Sequence, residues 1–189
     1  MPKSSIKPFR PIYPSPAALI TSASADGKAN IITLGEVYNL SVSKPVIVGI
    51  SIAKARHSHT LISQSLEYVV NLPTTRIIEK VDRCGAMSGR DVDKFAEVGL
   101  TPVPALEVSP PLIAECPVNL ECKVIGVQEI GDHDMFTGQV IVEHVDEEVL
   151  DENGRIQVDK LDGFCYVSGE YWSLGQKLGH HGFSKRTGN

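Results

Sequence analysis

The chain has four cysteines but no C-x-x-C pair. Cys84, Cys116, Cys122 and Cys165 therefore lack the spacing of a zinc ribbon or a thioredoxin-type redox pair, and they read as reduced, mostly buried thiols. Long apolar runs are missing too. The best of them, residues 46–52, includes a serine and is far too short to span a bilayer. The first 16 residues carry Lys3, Lys7 and Arg10 but also five prolines, with no apolar core of a signal peptide. A cytoplasmic protein without membrane association is expected. There is no basic excess: 18 lysines and arginines stand against 23 aspartates and glutamates, for a net charge of −5, and the signs are interspersed. Nucleic-acid binding, which depends on neutralising many phosphates, is not expected. No G-x-G-x-x-G follows the first strand, so a nicotinamide-binding Rossmann domain is excluded. No G-x-S-x-G elbow is present, and no Ser or Cys stands in a recognisable nucleophile context.

What is present predicts a mainly β protein. At 189 residues with 42% hydrophobic content, a single domain over residues 1–189 is expected, large enough to bury a core without a disulfide or metal. Residues 17–23 read as a strand, Asp26-Gly27 as a reversal and residues 30–37 as the returning strand. After a loop at 38–45, residues 46–52 are rich in β-branched side chains and form another strand. Residues 60–66 have helical spacing, with Ser58 or Thr60 as N-cap. Residues 68–72 return to strand and Pro73 ends it. Thr74 or Thr75 begins a second helix that fades by Gly85. Residues 93–97 form a short helix stopped by Gly99. The prolines from Pro102 to Pro111 impose an extended connection. Leu120, Cys122 and Val124 then alternate with Glu121 and Lys123 as a half-buried strand, and Gly126 suggests a bulge. Gly131-Asp132-His133-Asp134 turns into a long hairpin, Asp151-Glu152-Asn153-Gly154 is a further turn, and the tail from Gly163 is rich in glycine and aromatics. Many strands joined by short turns fit a closed antiparallel barrel with a few short peripheral helices.

The densest polar cluster is Arg56-His57-Ser58-His59-Thr60, between a strand and a helix start. Hydroxyls, an arginine and free helix amides in one place suit a phosphate; the same residues also read as an N-cap with solvated neighbours. The H-x-H has no third ligand at metal spacing, and no metal is expected. Asn30 and Thr33 on the second strand read as strand-edge polarity, Lys94 as a surface lysine, and His133 as a solvated hairpin-tip histidine, unless the fold gathers them. Glu147-Glu148 reads as a wet face.

Several segments, in order, look like one family: Pro16-Ala17-Ala18-Leu19-Ile20-Thr21, Asn30-x-x-Thr33, Ser41-x-Ser43-Lys44-Pro45, His57-Ser58-His59-Thr60, Val69-Val70-Asn71, Ser88-Gly89-Arg90-Asp91-Val92-Asp93-Lys94-Phe95, Leu120-Glu121-Cys122 and Gly131-Asp132-His133. Their order resembles the flavin reductase-like FMN-binding split-barrel family, from about residue 10 to the end. The tail Tyr171-Trp172-Ser173-Leu174-Gly175-Gln176-Lys177-Leu178-Gly179 is similar to the flavoredoxin-type branch. The resemblance implies a Greek-key split barrel, a homodimer and FMN near the subunit interface. It places Asn30 and Thr33 at the flavin ring edge, Ser51 and Ile52 in the pocket lining, Arg56, His57, Ser58 and Thr60 on the phosphate, and Lys94 and His133 near the cofactor. Where members often have a bulky residue after the Thr33 position, this chain has Leu34-Gly35. The activity implied is reduction of flavin by NADH or NADPH through hydride transfer to flavin N5, which needs no protein base. The alternative is a flavoredoxin-like electron carrier, or a ferric reductase, fed by a redox-protein partner. A binding protein that has lost its cofactor, and the related barrel of pyridoxamine-phosphate oxidases, are further readings.

Overall fold

The computed structural model describes residues 1–9 and 11–185. Seven strands make one antiparallel sheet: β2 (Ala18–Ala23), β3 (Ala29–Leu34), β4 (Val37–Val42), β5 (Val46–Ala53), β6 (Glu67–Leu72), β9 (Val118–Ile130) and β10 (His133–Val145). Their order is β3-β2-β6-β9-β10-β5-β4. Two short helices cover it, α1 (His57–Ser65) and α2 (Ile78–Ala86), with the single turn α3 (Lys94–Val98). The proline-rich connection contributes a small pair, β7 (Pro102–Val103) with β8 (Leu112–Ile113). In a second sheet, β1 (Ser15–Pro16) pairs with β11 (Phe164–Val167), which pairs with β12 (Glu170–Ser173).

Strand alternation curls the large sheet around a dry interior. Ala18 and Ile20, Ile32 and Leu34, Val48, Ile50 and Ile52, Tyr68 and Val70, Cys122 and Phe136 all point inward, and Ile62 of α1 plugs one end. β3 meets β5 across the barrel without sharing a ladder with it. The Greek-key split barrel expected from the sequence is the fold found. The other face of β2 and β3, through Leu19 and Ile31, packs on Val81 and Cys84 of α2, on Phe95 and Val98 of α3, and on Phe164. Close packing at one point requires a glycine: a Cβ on Gly138 would lie 2.2 Å from the Tyr68 hydroxyl. The bulge read at Gly126 is there, since the β9–β10 register shifts between Thr137 and Gly138, leaving Ile125 unmatched.

Three sequence expectations are corrected, and one segment left without an element gains one. Residues 38–42 belong to strand β4, not a loop. They lie at the sheet's edge, largely exposed and bulged between Asn39 and Ser41, so they lack the alternation of a buried strand. Helix α1 starts at His57 with Arg56 at the cap position, and no side chain caps it. The aromatic tail forms the β11–β12 hairpin. Glu121, read on a half-wet strand, is fully buried, because Leu106 and Glu107 lie over that face and donate their backbone N–H groups to its carboxylate. All four cysteines are free, three of them buried. No described helix is long and apolar enough to cross a membrane.

Candidate functional site

Two adjoining cavities open where α1, α2 and β3 converge, with Arg56 and Gly85 lining both. The smaller, about 70 Å³, has Asn30 of β3 and the Arg56-His57-Ser58 start of α1 on one side, and Ser88, Gly89 and Arg90 on the other, with Lys94 beside them. The larger, about 320 Å³, is walled by Thr33, Leu34, Gly35, Asp82, Tyr166 and Tyr171.

Each side chain is placed by a local cause. Asp93 caps α3: its Oδ1 accepts from the backbone N–H of Phe95 at 3.0 Å and Ala96 at 3.3 Å, and Gly99, at φ 65°, ends the turn. That turn buries Lys94, 4% exposed, whose Nζ donates to the Cys84 carbonyl at 2.5 Å. Cys84 lies in the last turn of α2, where orphan carbonyls attract a cation. One of the ammonium's three N–H donors is thereby used. Asn30 donates from Nδ2 to the Ser58 hydroxyl at 2.7 Å, so Ser58, an apparent cap in the sequence, ties α1 to β3. Asn30 Oδ1 is buried without a hydrogen-bond partner. Gly89 rests on it so closely that a Cβ there would lie 1.8 Å away. Thr33 donates its hydroxyl proton to the Val81 carbonyl of α2. Tyr171 donates to Asp82 at 3.1 Å and meets Tyr166 edge-on at 5.4 Å.

The electrostatics of the smaller cavity run one way. Burial lowers the His57 pKa, and the charges of Arg90, Lys28 and Lys94 lower it further. Burial likewise lowers the Lys94 pKa; Cys84 opposes that shift and Arg56 adds to it. None of the residues lining this cavity is a carboxylate. Helix amides without a capping side chain complete a set of donors facing a space that lacks negative charge. An anion fits; a cation does not. The larger cavity has a polar ring, tyrosine edges and room for a planar group, so the pair of cavities suits a ring system carrying a phosphate.

The fold therefore brings together Asn30, Thr33, Arg56, His57, Ser58 and Lys94. It does not bring Ser51, Ile52, Thr60 or His133 into the lining of either cavity. Ile52 is fully buried in the barrel interior with Val48 and Ile50, and Ser51 consequently points to the opposite face of β5. Thr60 is exposed on α1. His133 sits at the β9–β10 turn, paired with Asp132 at 2.8 Å. The two histidines of H-x-H part company: His57 lines the smaller cavity, while His59 bonds Asp134 at 2.7 Å and stacks edge-on against Phe136. No cluster able to hold a metal occurs among the described residues. Gly89, Arg90, Tyr166 and Tyr171 entered no site expectation. The motif around Lys94 and the aromatic tail were the available signals, but only tertiary structure brings either to α1.

Comparison with known proteins bears on the family and the fold. The model of the flavin reductase like domain matches residues 10–172. A protein of Archaeoglobus fulgidus is 38% identical over 130 residues, covering 69% of this chain and 72% of its own. Among solved structures, the flavoredoxin of Desulfovibrio vulgaris (Miyazaki F) is 29% identical with a TM-score of 0.90, over 97% of this chain and 100% of its own. The flavoredoxin from Methanosarcina acetivorans is 28% identical with a TM-score of 0.86, over 96% and 97%. With the barrel, the ordered motifs and the family match in agreement, the chain belongs to the flavin reductase-like domain family.

Proposed function

We propose that this protein binds FMN across the two cavities and acts as an NAD(P)H-dependent flavin reductase. The observation that carries the reading is the gathering of Lys28, Arg56, Arg90 and Lys94 about the uncapped start of α1, in a chain whose net charge is −5. Such a local reversal of sign is costly without an anion, and a phosphomonoester supplies one. Arg56, Ser58 and the first amides of α1 would hold the phosphate, with Lys94 behind them. Thr33, its proton committed to Val81, has only lone pairs to offer a donor on the ring edge. Asn30 Oδ1, buried and unpaired, is a second acceptor in the same wall. Bound FMN would supply the redox chemistry, accepting a hydride at N5, while the protein orients it and sets its electrostatics.

A homodimer is part of the proposal. Leu40, Val42 and Val46 of β4 and β5 and Ile125, Val127 and Ile130 of β9 are exposed, all in the β9-β10-β5-β4 half of the sheet, and exposed apolar side chains concentrated in this way suit a second chain.

A second reading, a flavoredoxin-type carrier fed by a redox protein, is favoured by the likeness to two flavoredoxins over nearly the whole chain. One experiment separates them. The purified protein is loaded with FMN and mixed anaerobically with NADH or NADPH while the visible flavin absorbance is followed. Bleaching by either nicotinamide supports the reductase. No bleaching by either, with reduction by a low-potential protein donor, supports the carrier. A protein that stays colourless after added FMN is removed by desalting, and quenches no flavin fluorescence, sinks both.

A further inference from the structure

We infer that Arg90 is a latch across the phosphate end of the site and makes it selective for a flavin mononucleotide over a dinucleotide. The inference rests on the flavin reading and adds a specificity determinant to it. Arg90 Nη1 donates to the Ala55 carbonyl at 2.9 Å, joining the turn at residues 88–92 to the residue that precedes the Arg56 cap of α1. Within that turn the N–H groups of Asp91 and Val92 bond the Ser88 carbonyl, so Arg90 is presented from a closed loop. Gly89 brings the loop down on Asn30, and a Cβ there would also lie 3.3 Å from His57 Cδ2. The guanidinium is near enough to His57 to depress its pKa, second only to burial. The far end of the cavity is thus spanned by a cation that already holds a backbone carbonyl of the opposite wall.

Size and charge point the same way. The phosphate-end cavity, about 70 Å³, is less than a quarter of its 320 Å³ neighbour, so it suits a terminal phosphate rather than a second nucleoside. A phosphomonoester ends there and brings close to two negative charges at neutral pH, free to take the remaining donors of a fork-shaped guanidinium. In a dinucleotide the same phosphorus carries one charge and continues through a second phosphate to an adenosine, which must leave along the line that Arg90 crosses. The latch therefore attracts the mononucleotide and obstructs the dinucleotide.

The test is a fluorescence-quenching titration of the flavin-free full-length protein and of Arg90→Ala with FMN, FAD and riboflavin. Arg90 is solvent-exposed, so the variant folds; matching far-UV circular dichroism and melting curves verify this. The native protein is expected to prefer FMN to FAD by about tenfold or more, the weight of one charge-assisted contact. Arg90→Ala should lose about that factor for FMN, leave riboflavin unchanged, and bring the FMN-to-FAD ratio close to one. Equal affinity of the native protein for FMN and FAD, or equal weakening of all three flavins in the variant, overturns the latch while leaving flavin binding intact. Failure of the native protein to bind any of the three overturns the flavin reading itself.

Discussion

Glu121 has no exposed surface, yet its carboxylate is fully engaged. One oxygen accepts from the Leu106 N–H at 2.8 Å and from His144 Nε2 at 2.6 Å, the other from the Glu107 N–H at 2.7 Å. Burial pushes its pKa up, but the two backbone donors and His144 outweigh it, and the net shift is downward. A folded pKa below the unfolded one means that the carboxylate stabilises the fold above about pH 4.3, its unfolded value, and loses that contribution as pH falls through the folded value. Glu121→Gln is expected to cost about 1–3 kcal/mol at pH 7, since the amide keeps one acceptor oxygen and leaves a donor unpaired. Urea unfolding of both proteins from pH 7 to pH 3 measures this, and the gap should narrow below about pH 4.3. A gap independent of pH would show that the charge contributes nothing. This residue was not legible in the sequence because its neighbours misdirect. Leu120, Cys122 and Val124 look like the dry face, which assigns Glu121 to water. β9 is instead a central strand covered on both faces, and the cover comes from a loop 14 and 15 residues away, which no local periodicity encodes.

At the scale of elements, legibility followed the chemistry of the ends. α3 could be read at its end, where Gly99 does what glycine does after any helix, and to within one residue at its start, where Asp93 is the cap and not the first helical residue. α1 could not, because the hydroxyl of Ser58 is spent on Asn30 and Thr60 lies inside the helix. The true cap position falls to Arg56, at φ −76° and ψ 142°, with no side-chain hydrogen bond. That backbone already has the conformation of a capping residue, so a carboxylate placed there can accept from the second or third amide of the helix. Arg56→Asp should therefore stabilise the fold by about 1 kcal/mol, seen as a higher melting temperature without flavin. The same change removes a cation and fills the donors that the phosphate needs, so FMN affinity should fall by at least about tenfold. Stability and affinity moving in opposite directions is the signature of a helix end left open for a ligand. If both fell together, Arg56 would be a packing residue and the amides would not be the cradle.

For the molecule as a whole, the split barrel was readable as a class from strand count, short turns and ordered motifs. The gathering of the site was not, because its parts lie at residues 30–33, 56–58, 82–94 and 166–171 and only the topology joins them. The same topology leaves a problem at the opposite edge. β4 pairs with β5 on one side only, and an open edge bearing exposed apolar residues invites another chain. Val42 is 83% exposed and Ile125 54% exposed, so neither stabilises the monomer core. Yet the strands that carry them, β4 and β9, lie in the half of the sheet where the proposed subunit contact would form. Val42→Glu combined with Ile125→Glu should cost the isolated fold less than about 1 kcal/mol, as surface changes do, while placing four like charges across a two-fold contact, two from each subunit. Sedimentation equilibrium should give twice the 20.5 kDa chain mass for the native protein and the single mass for the variant, at unchanged melting temperature in dilute solution. A native protein that sediments as a monomer at micromolar concentration would remove the dimer from the proposal. A variant that stays dimeric would move the contact to another face.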